Sequence, residues 1–144
     1  MQRKISQMMY GKTFACEKKN LKPIRRFASE ALSGYHVPKK DANLMVLALE
    51  EVCANLIIHS HQCNPQHSLH IQIDREQDEL RFEIFDQGVC FNISEHQEPT
   101  ISEVISQKKT GGIGLILVKK IMDKIEVKIE NGQNIYRFFK AYAV

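Results

Sequence analysis

An excess of charge of either sign is what this sequence lacks first. Its 144 residues carry 20 Lys+Arg against 17 Asp+Glu, a formal net charge of +3 with histidines neutral. That balance is too weak to point to a nucleic-acid partner. No apolar run approaches the ~18 residues of a membrane span. The first residues, Met1-Gln-Arg-Lys-Ile-Ser6, lack an apolar signal core. A cytoplasmic chain with no membrane partner is therefore expected. The four cysteines (Cys16, Cys53, Cys63 and Cys90) are irregularly spaced and form no CxxC pair. A reduced, intracellular set is the reading that fits. Internal repeats, low-complexity tracts and Pro/Gly linkers are missing too, so residues 1–144 read as one domain. Hydrophobic residues make up 43% and charged residues 26%, which excludes a disordered or collagenous chain.

Two familiar nucleotide motifs are also wanting. Gly11-Lys12-Thr13 imitates the end of a P-loop, but Ser6 stands where the earlier glycine is required. A dinucleotide-type GxGxxG fails because the glycines follow no strand and no third one falls in register.

What is present reads as paired strands and amphipathic helices. Met8–Glu17 alternates as a short strand. Leu21, Ile24, Phe27, Ala28, Ala31 and Leu32 recur at helical spacing, with Pro23 tolerable in the first turn. Asp41 is placed to cap a longer helix running to about His59, with Leu44, Leu47, Ala48, Val52 and Leu56 on its apolar face. His67–Asp74 and Glu79–Asp86 alternate and form a hairpin. A polar stretch, Gln87–Gly111, follows, with one helical turn suggested at Ile101–Gln107. A third main helix spans Gly112–Asp123, with Ile113, Leu117 and Ile121 at i, i+4 and i+8. Ile125–Glu130, the turn Asn131-Gly132 and Ile135–Tyr142 make a closing hairpin. Strands in adjacent pairs exclude a doubly wound fold and predict an α/β two-layer sandwich, with helices on one face of the sheet.

Three local features carry chemistry. Glu51 and Asn55 lie four apart and share one helix face, which His59 extends by a turn. A carboxylate and an amide stacked in this way suit a hydrated cation and a hydroxyl, although a solvated helix face has the same pattern. Phe82-Glu-Ile-Phe-Asp86-Gln-Gly88 ends an apolar strand in Asp-x-Gly. The carboxylate there can accept from an exocyclic amine and Gly88 lets a ligand approach, although a plain turn would look the same. Thr110-Gly-Gly-Ile-Gly114-Leu115 opens a helix after a polar loop, with Lys108 and Lys109 just before it. Uncovered amides at such a helix start favour an anion; a flexible hinge is the other reading.

In order and spacing these features resemble the nucleotide-binding boxes of the Bergerat-fold, histidine-kinase-like (GHKL) ATPases. Among these, the anti-sigma factor serine/threonine kinase branch is the closest match. Leu47-Ala-Leu-Glu-Glu-Val-Cys-Ala-Asn55-Leu-Ile-Ile-His59 resembles that branch's first box, Asp86-x-Gly88 its adenine box, and Gly111-Gly-Ile-Gly-Leu-Ile-Leu-Val-Lys-Lys-Ile-Met-Asp123 its lid-to-helix box. The resemblance covers about Leu21 to Lys140. It implies a mixed, mostly antiparallel sheet that binds ATP with Mg²⁺. Asn55 would place its side-chain oxygen on Mg²⁺, and Glu51 would be the general base on a serine hydroxyl. Asp86 and Gly88 would read adenine. Lys109, Thr110, Gly111, Gly112, Gly114 and Leu115 would surround the phosphates. The implied activity is that of a protein serine/threonine kinase acting on a STAS-domain anti-anti-sigma partner, with a sigma factor as second partner and a homodimer as the assembly. The rival readings are an ATP-binding switch without kinase activity, a detached histidine kinase catalytic domain, and a related fold that has lost nucleotide.

Two departures stand out. Cys90 occupies the position of a second adenine-box glycine. Gln133-Asn134 stand where the family often has a threonine near the base, and the sequence does not say which of the two faces it.

His59, His61, Cys63, His67 and His70 crowd together and invite a metal reading. Structural zinc ligands usually pair in tight turns, whereas here a helix and a strand should separate the histidines. A helix-end histidine already interacts favourably with the helix dipole.

Overall fold

A computed structural model describes residues 9–87 and 110–142. The start of the first strand at Met8, the helical turn suggested at Ile101–Gln107, and Gly88, Cys90 and Lys109 lie outside these residues.

Five strands form one sheet. They are β1 (Tyr10–Ala15), β2 (Ser68–Glu76), β3 (Glu79–Asp86), β4 (Lys124–Glu130) and β5 (Gln133–Ala141), in the order β1-β2-β3-β5-β4. All four pairings are antiparallel, so the mixed sheet implied by the resemblance is antiparallel throughout its described strands. Three helices accompany the sheet: α1 (Leu21–Gly34), α2 (Lys39–Asn55) and α3 (Thr110–Ile121). Gly11-Lys12-Thr13, the P-loop imitation, lies inside β1.

Alternation along the strands decides which side meets the helices. Leu69, Ile71 and Ile73 of β2, Leu80, Phe82 and Ile84 of β3, and Tyr136 and Phe138 of β5 are buried together with Ile24, Ala28, Ala31 and Leu32 of α1. The opposite side carries cross-strand ion pairs. Arg81 donates twice to Asp74 at 3.1 and 2.7 Å, and Arg137 donates to Glu83 at 2.6 Å. Both are directly opposed pairs in the strand register. The closing hairpin turns at Asn131 and Gly132, both with left-handed φ (51° and 75°), as an Asn-Gly primed turn requires.

The helices sit as expected: α1 buries Ile24, Ala28, Ala31 and Leu32 of its predicted face, and Ala48, Val52 and Leu56 of the face predicted for α2 are buried too, while the rest of that face differs. Along α2 the buried line is Ala42, Met45, Val46, Leu49, Val52 and Cys53. Leu44 is 50% exposed and Leu47 36%. α2 is apolar nearly all round, so spacing alone did not select the face that meets the sheet. The same holds for α3, where Leu115 and Val118 are buried, with Met122 buried just beyond its end, and Leu117 and Ile121 are only half-buried. Asp41 does not cap α2. Pro38 holds that position, and Asp41 accepts a hydrogen bond from Tyr142 Oη at 2.8 Å.

Together with the turn that follows it, α2 runs for 22 residues, Lys39–Ser60, with a mean hydropathy of 1.4 in its most apolar window. That is long and apolar enough to cross a membrane, but half of the window is buried within the protein, as a core helix would be.

Gly34 ends α1 against Tyr10, whose ring meets that of Tyr35 edge-on at 5.3 Å. A Cβ added at Gly34 would fall on Tyr10 Oη and displace this ring pair. Gly34→Ala should therefore destabilise the fold by about 1–3 kcal/mol, the usual cost of overpacking. Urea unfolding of the two proteins measures the difference.

Candidate functional site

Asp86 ends the central strand β3 with its side chain fully out of water. By parity it faces the helices with Leu80, Phe82 and Ile84. A buried carboxylate is tolerated only when its oxygens are hydrogen-bonded. Here His61 Nε2 donates to Oδ2 at 2.7 Å, and Asn134 Nδ2 donates to Oδ1 at 2.8 Å. Asn134 reaches it because β5 pairs with β3 in the register Asp86↔Asn134. That answers which of Gln133 and Asn134 turns toward Asp86.

His61 reaches it through a local irregularity. α2 gives way at Leu56–Ser60 to a π-helical turn, closed by His61 N–H to Leu56 O at 2.9 Å. The wider turn adds a residue to the helical repeat. His59, expected to prolong the Glu51–Asn55 line, is left exposed, and the buried histidine is His61. Gln62 and Cys63 follow with left-handed φ of 50° and 56°, conformations that non-glycine residues adopt only where surrounding contacts hold them. Cys63 N–H to Ile57 O (2.8 Å) and Cys16 N–H to His67 O (2.9 Å) pin this loop. His67 Nδ1 lies 3.0 Å from His61 Nδ1, so these two histidines serve each other. Among the described residues, no group of three or more His, Cys, Asp or Glu is disposed to hold a metal ion.

Glu51 and Asn55 stand one turn apart on α2, both half-buried. Burial first, and then the neighbouring Glu50, raise the Glu51 carboxyl above its ordinary value. Asn55 Nδ2 is buried with no hydrogen-bond partner among the described residues. α2 also packs against α3. Thr110, Gly111, Gly112 and Gly114 belong to the first turn or so of α3, which starts two residues earlier than expected. Its first amides have no partner within the helix. Leu115 is buried in the core, so only its backbone is open to a ligand.

A cavity of about 420 Å³ adjoins Asp86, lined by His67, His70, Phe85, Gln87 and Gln133 among others. His61 and Asp86 line it together with His70, Phe85 and Gln133 from the helix-free side of the sheet, and Glu51 and Asn55 do not. The structure thus gathers Asp86, His61 and Asn134 at one point and keeps Glu51 and Asn55 together on α2.

Neither His61 nor Asn134 was marked by spacing as a partner of Asp86. Alternation along β5, which puts Asn134 on the side of Tyr136 and Phe138, could have shown that it faces the helix layer; nothing in the pattern announces the π turn. Asp86→Asn would turn an amide N–H toward one of two donors and leave buried groups unpaired. It should cost about 1–3 kcal/mol of stability, seen as a lower melting temperature without ligand.

Residues 14–140 match the family model described as a histidine kinase-like ATPase domain. The chain is 28% identical over 96 residues to the serine-protein kinase RsbW of Bacillus licheniformis, covering 64% of this chain and 60% of that protein. It is 30% identical over 91 residues to the anti-sigma F factor of Oceanobacillus iheyensis, covering 61% and 62%. The matches thus span about 60% of the length of these curated relatives. A crystal structure of the RsbU and RsbW domains of a Mycobacterium tuberculosis protein superposes with a TM-score of 0.60 at 11% identity, over 94% of this chain and 32% of that one. That likeness is one of fold. With a family model covering most of its length, the chain belongs to the histidine kinase-like ATPase domain family.

Proposed function

We propose that the chain binds ATP with Mg²⁺ and is an anti-sigma-type protein serine/threonine kinase. Its substrate would be a STAS-domain anti-anti-sigma partner in a partner-switching circuit, with a sigma factor as the competing partner and a homodimer as its assembly. The observation that carries this reading is Glu51 one turn before Asn55, on the helix that His61 ties to Asp86. The names of the relatives, serine-protein kinase and anti-sigma F factor, support the same reading.

Each residue then has a task. Asp86 accepts from the exocyclic amine of adenine. Its oxygens already take one hydrogen bond each, and a carboxylate has about four acceptor sites, so capacity remains. The amides of Thr110, Gly111, Gly112, Gly114 and Leu115 at the start of α3 suit the phosphates, and the proposal adds Lys109, next in sequence, for the phosphates and Gly88, two residues after Asp86, for the base. Asn55 fits Mg²⁺ through its amide oxygen, a hard ligand of the kind Mg²⁺ takes. Mg²⁺ would neutralise the phosphate charge that builds up during transfer. Glu51 accepts the proton of the serine or threonine hydroxyl as its oxygen forms a bond to the γ-phosphorus and the bond to ADP breaks. A carboxyl raised by burial is the better base for this. Leu44 and Leu47 precede Glu51 on the same side of α2 and are exposed, an apolar foothold for a protein substrate beside the base.

Mg·ATP should raise the melting temperature by mass action. Glu51→Ala should keep ATP binding within a few fold and abolish phosphotransfer, since a general base is worth ~10²–10⁴ in rate. Asn55→Ala should lose Mg²⁺-dependent binding and transfer together. The rate should climb with pH as the raised Glu51 carboxyl loses its proton, with a midpoint above that of an ordinary glutamate. Nucleotide titration and radiolabel transfer to a STAS-domain serine check these outcomes; unchanged transfer by Glu51→Ala overturns the assignment of the base.

A further inference from the structure

The hydrogen bonds around His61 run in one direction, and both ends of the run are fixed by chemistry. At one end Gln66 N–H donates to Asn64 Oδ1 at 2.9 Å. This sets the Asn64 amide, so Nδ2 is the atom 3.4 Å from His67 Nε2. With Nε2 accepting from it, the proton of a neutral His67 sits on Nδ1. His67 Nδ1–H faces His61 Nδ1 at 3.0 Å, so His61 Nδ1 is bare and its proton sits on Nε2. That proton points at Asp86 Oδ2, 2.7 Å away, and an ionised carboxylate can only accept. The two histidines therefore hold opposite tautomers, and an added proton at either bare nitrogen would set two donors face to face.

We propose that His61 is a positioning residue for Asp86, with His67 and Asn64 fixing its tautomer, so that the carboxylate stays turned for adenine. This role rests on the nucleotide reading given above. His61 donates to Oδ2 and Asn134 to Oδ1, which stops the carboxylate from rotating about its terminal bond. The remaining lone pairs then point in fixed directions, the condition for telling an amine from a carbonyl at one position of a purine. Among the described residues, His70 lines the same hollow as Asp86, and two thiols lie close by. Cys16 at the end of β1 senses the charge of Asp86, and Cys63 sits near Cys16 in turn. Cys16 is held in its neutral form by burial.

Two measurements test the proposal. A long-range ¹H–¹⁵N imidazole spectrum of the whole chain near neutral pH should show His61 protonated on Nε2 and His67 on Nδ1. A proton on His61 Nδ1, or on His67 Nε2, overturns the arrangement. The second compares the affinities of Mg·ATP and Mg·ITP, since inosine carries a carbonyl where adenine has its amine. ATP should win by about tenfold in the unsubstituted chain. In His61→Phe that preference should fall to within about threefold, and His61→Gln, whose amide can still donate, should restore part of it. His67→Phe changes an exposed residue and leaves the buried ring in place. It should weaken the preference less, and it serves as the test if His61→Phe does not fold by its melting curve. ATP binding with the preference intact in these variants overturns the role of His61 alone. No ATP binding by the unsubstituted chain overturns the nucleotide reading and this role together, whereas the spectrum still reports on the tautomers.

Discussion

A carboxylate withdrawn from water at the end of the central strand sets the terms for everything around it. Left alone, a buried charge would cost more than the whole net stability of a small domain. Asp86 is kept there by donors from two other elements, Asn134 on β5 and His61 beyond α2. The sheet and the helix layer are thus joined at a polar point as well as through the apolar core. The same charge acts on its surroundings. The Cys16 thiol, pushed up to about 11 by burial first and by Asp86 second, stays protonated and unreactive at neutral pH.

The two faces of the sheet divide the work. The helix-side face supplies the core and the end of β3 that carries Asp86. The other face is ordered by opposed charges: Asp74 with Arg81, then Glu83 with Arg137, which also lies 3.6 Å from Glu126. Each pair is a direct cross-strand neighbour, and cross-strand pairs contribute roughly 0.2–1 kcal/mol. Their larger service is to register. A slip by one residue would bring these charges to the core side, so the pairing that sets Asn134 opposite Asp86 is held by contacts several residues away.

Where periodicity and turn chemistry speak, the sequence was legible. The hairpin over Asn131-Gly132, the paired strands β2 and β3, and the extent of α1 follow from alternation, positive-φ residues and helical spacing. Glu51 and Asn55 were found as a pair because an α-helix converts a separation of four into one face. The rest failed for identifiable reasons. α2 and α3 are apolar on more than one side, so spacing points Leu44 and Leu47 at a core that in fact takes Met45, Val46 and Leu49. His59 lines up with Asn55 only in an unbroken helix, and the π turn breaks it. Asp86 was expected to await a ligand, whereas its burial had first to be satisfied within the protein.

The π turn also changes what a short deletion would mean in this chain. In a loop, losing one residue is commonly absorbed by slack. Between Leu56 and Ser60 the chain is wound, and each residue accounts for a rotation of about 100° in a regular helix. Wound as an ordinary helix, all five would carry His61 about 100° further round and away from Asp86; with any one of them removed, ordinary winding would return it close to its present place. At this place the number of residues, as much as their identity, specifies the site.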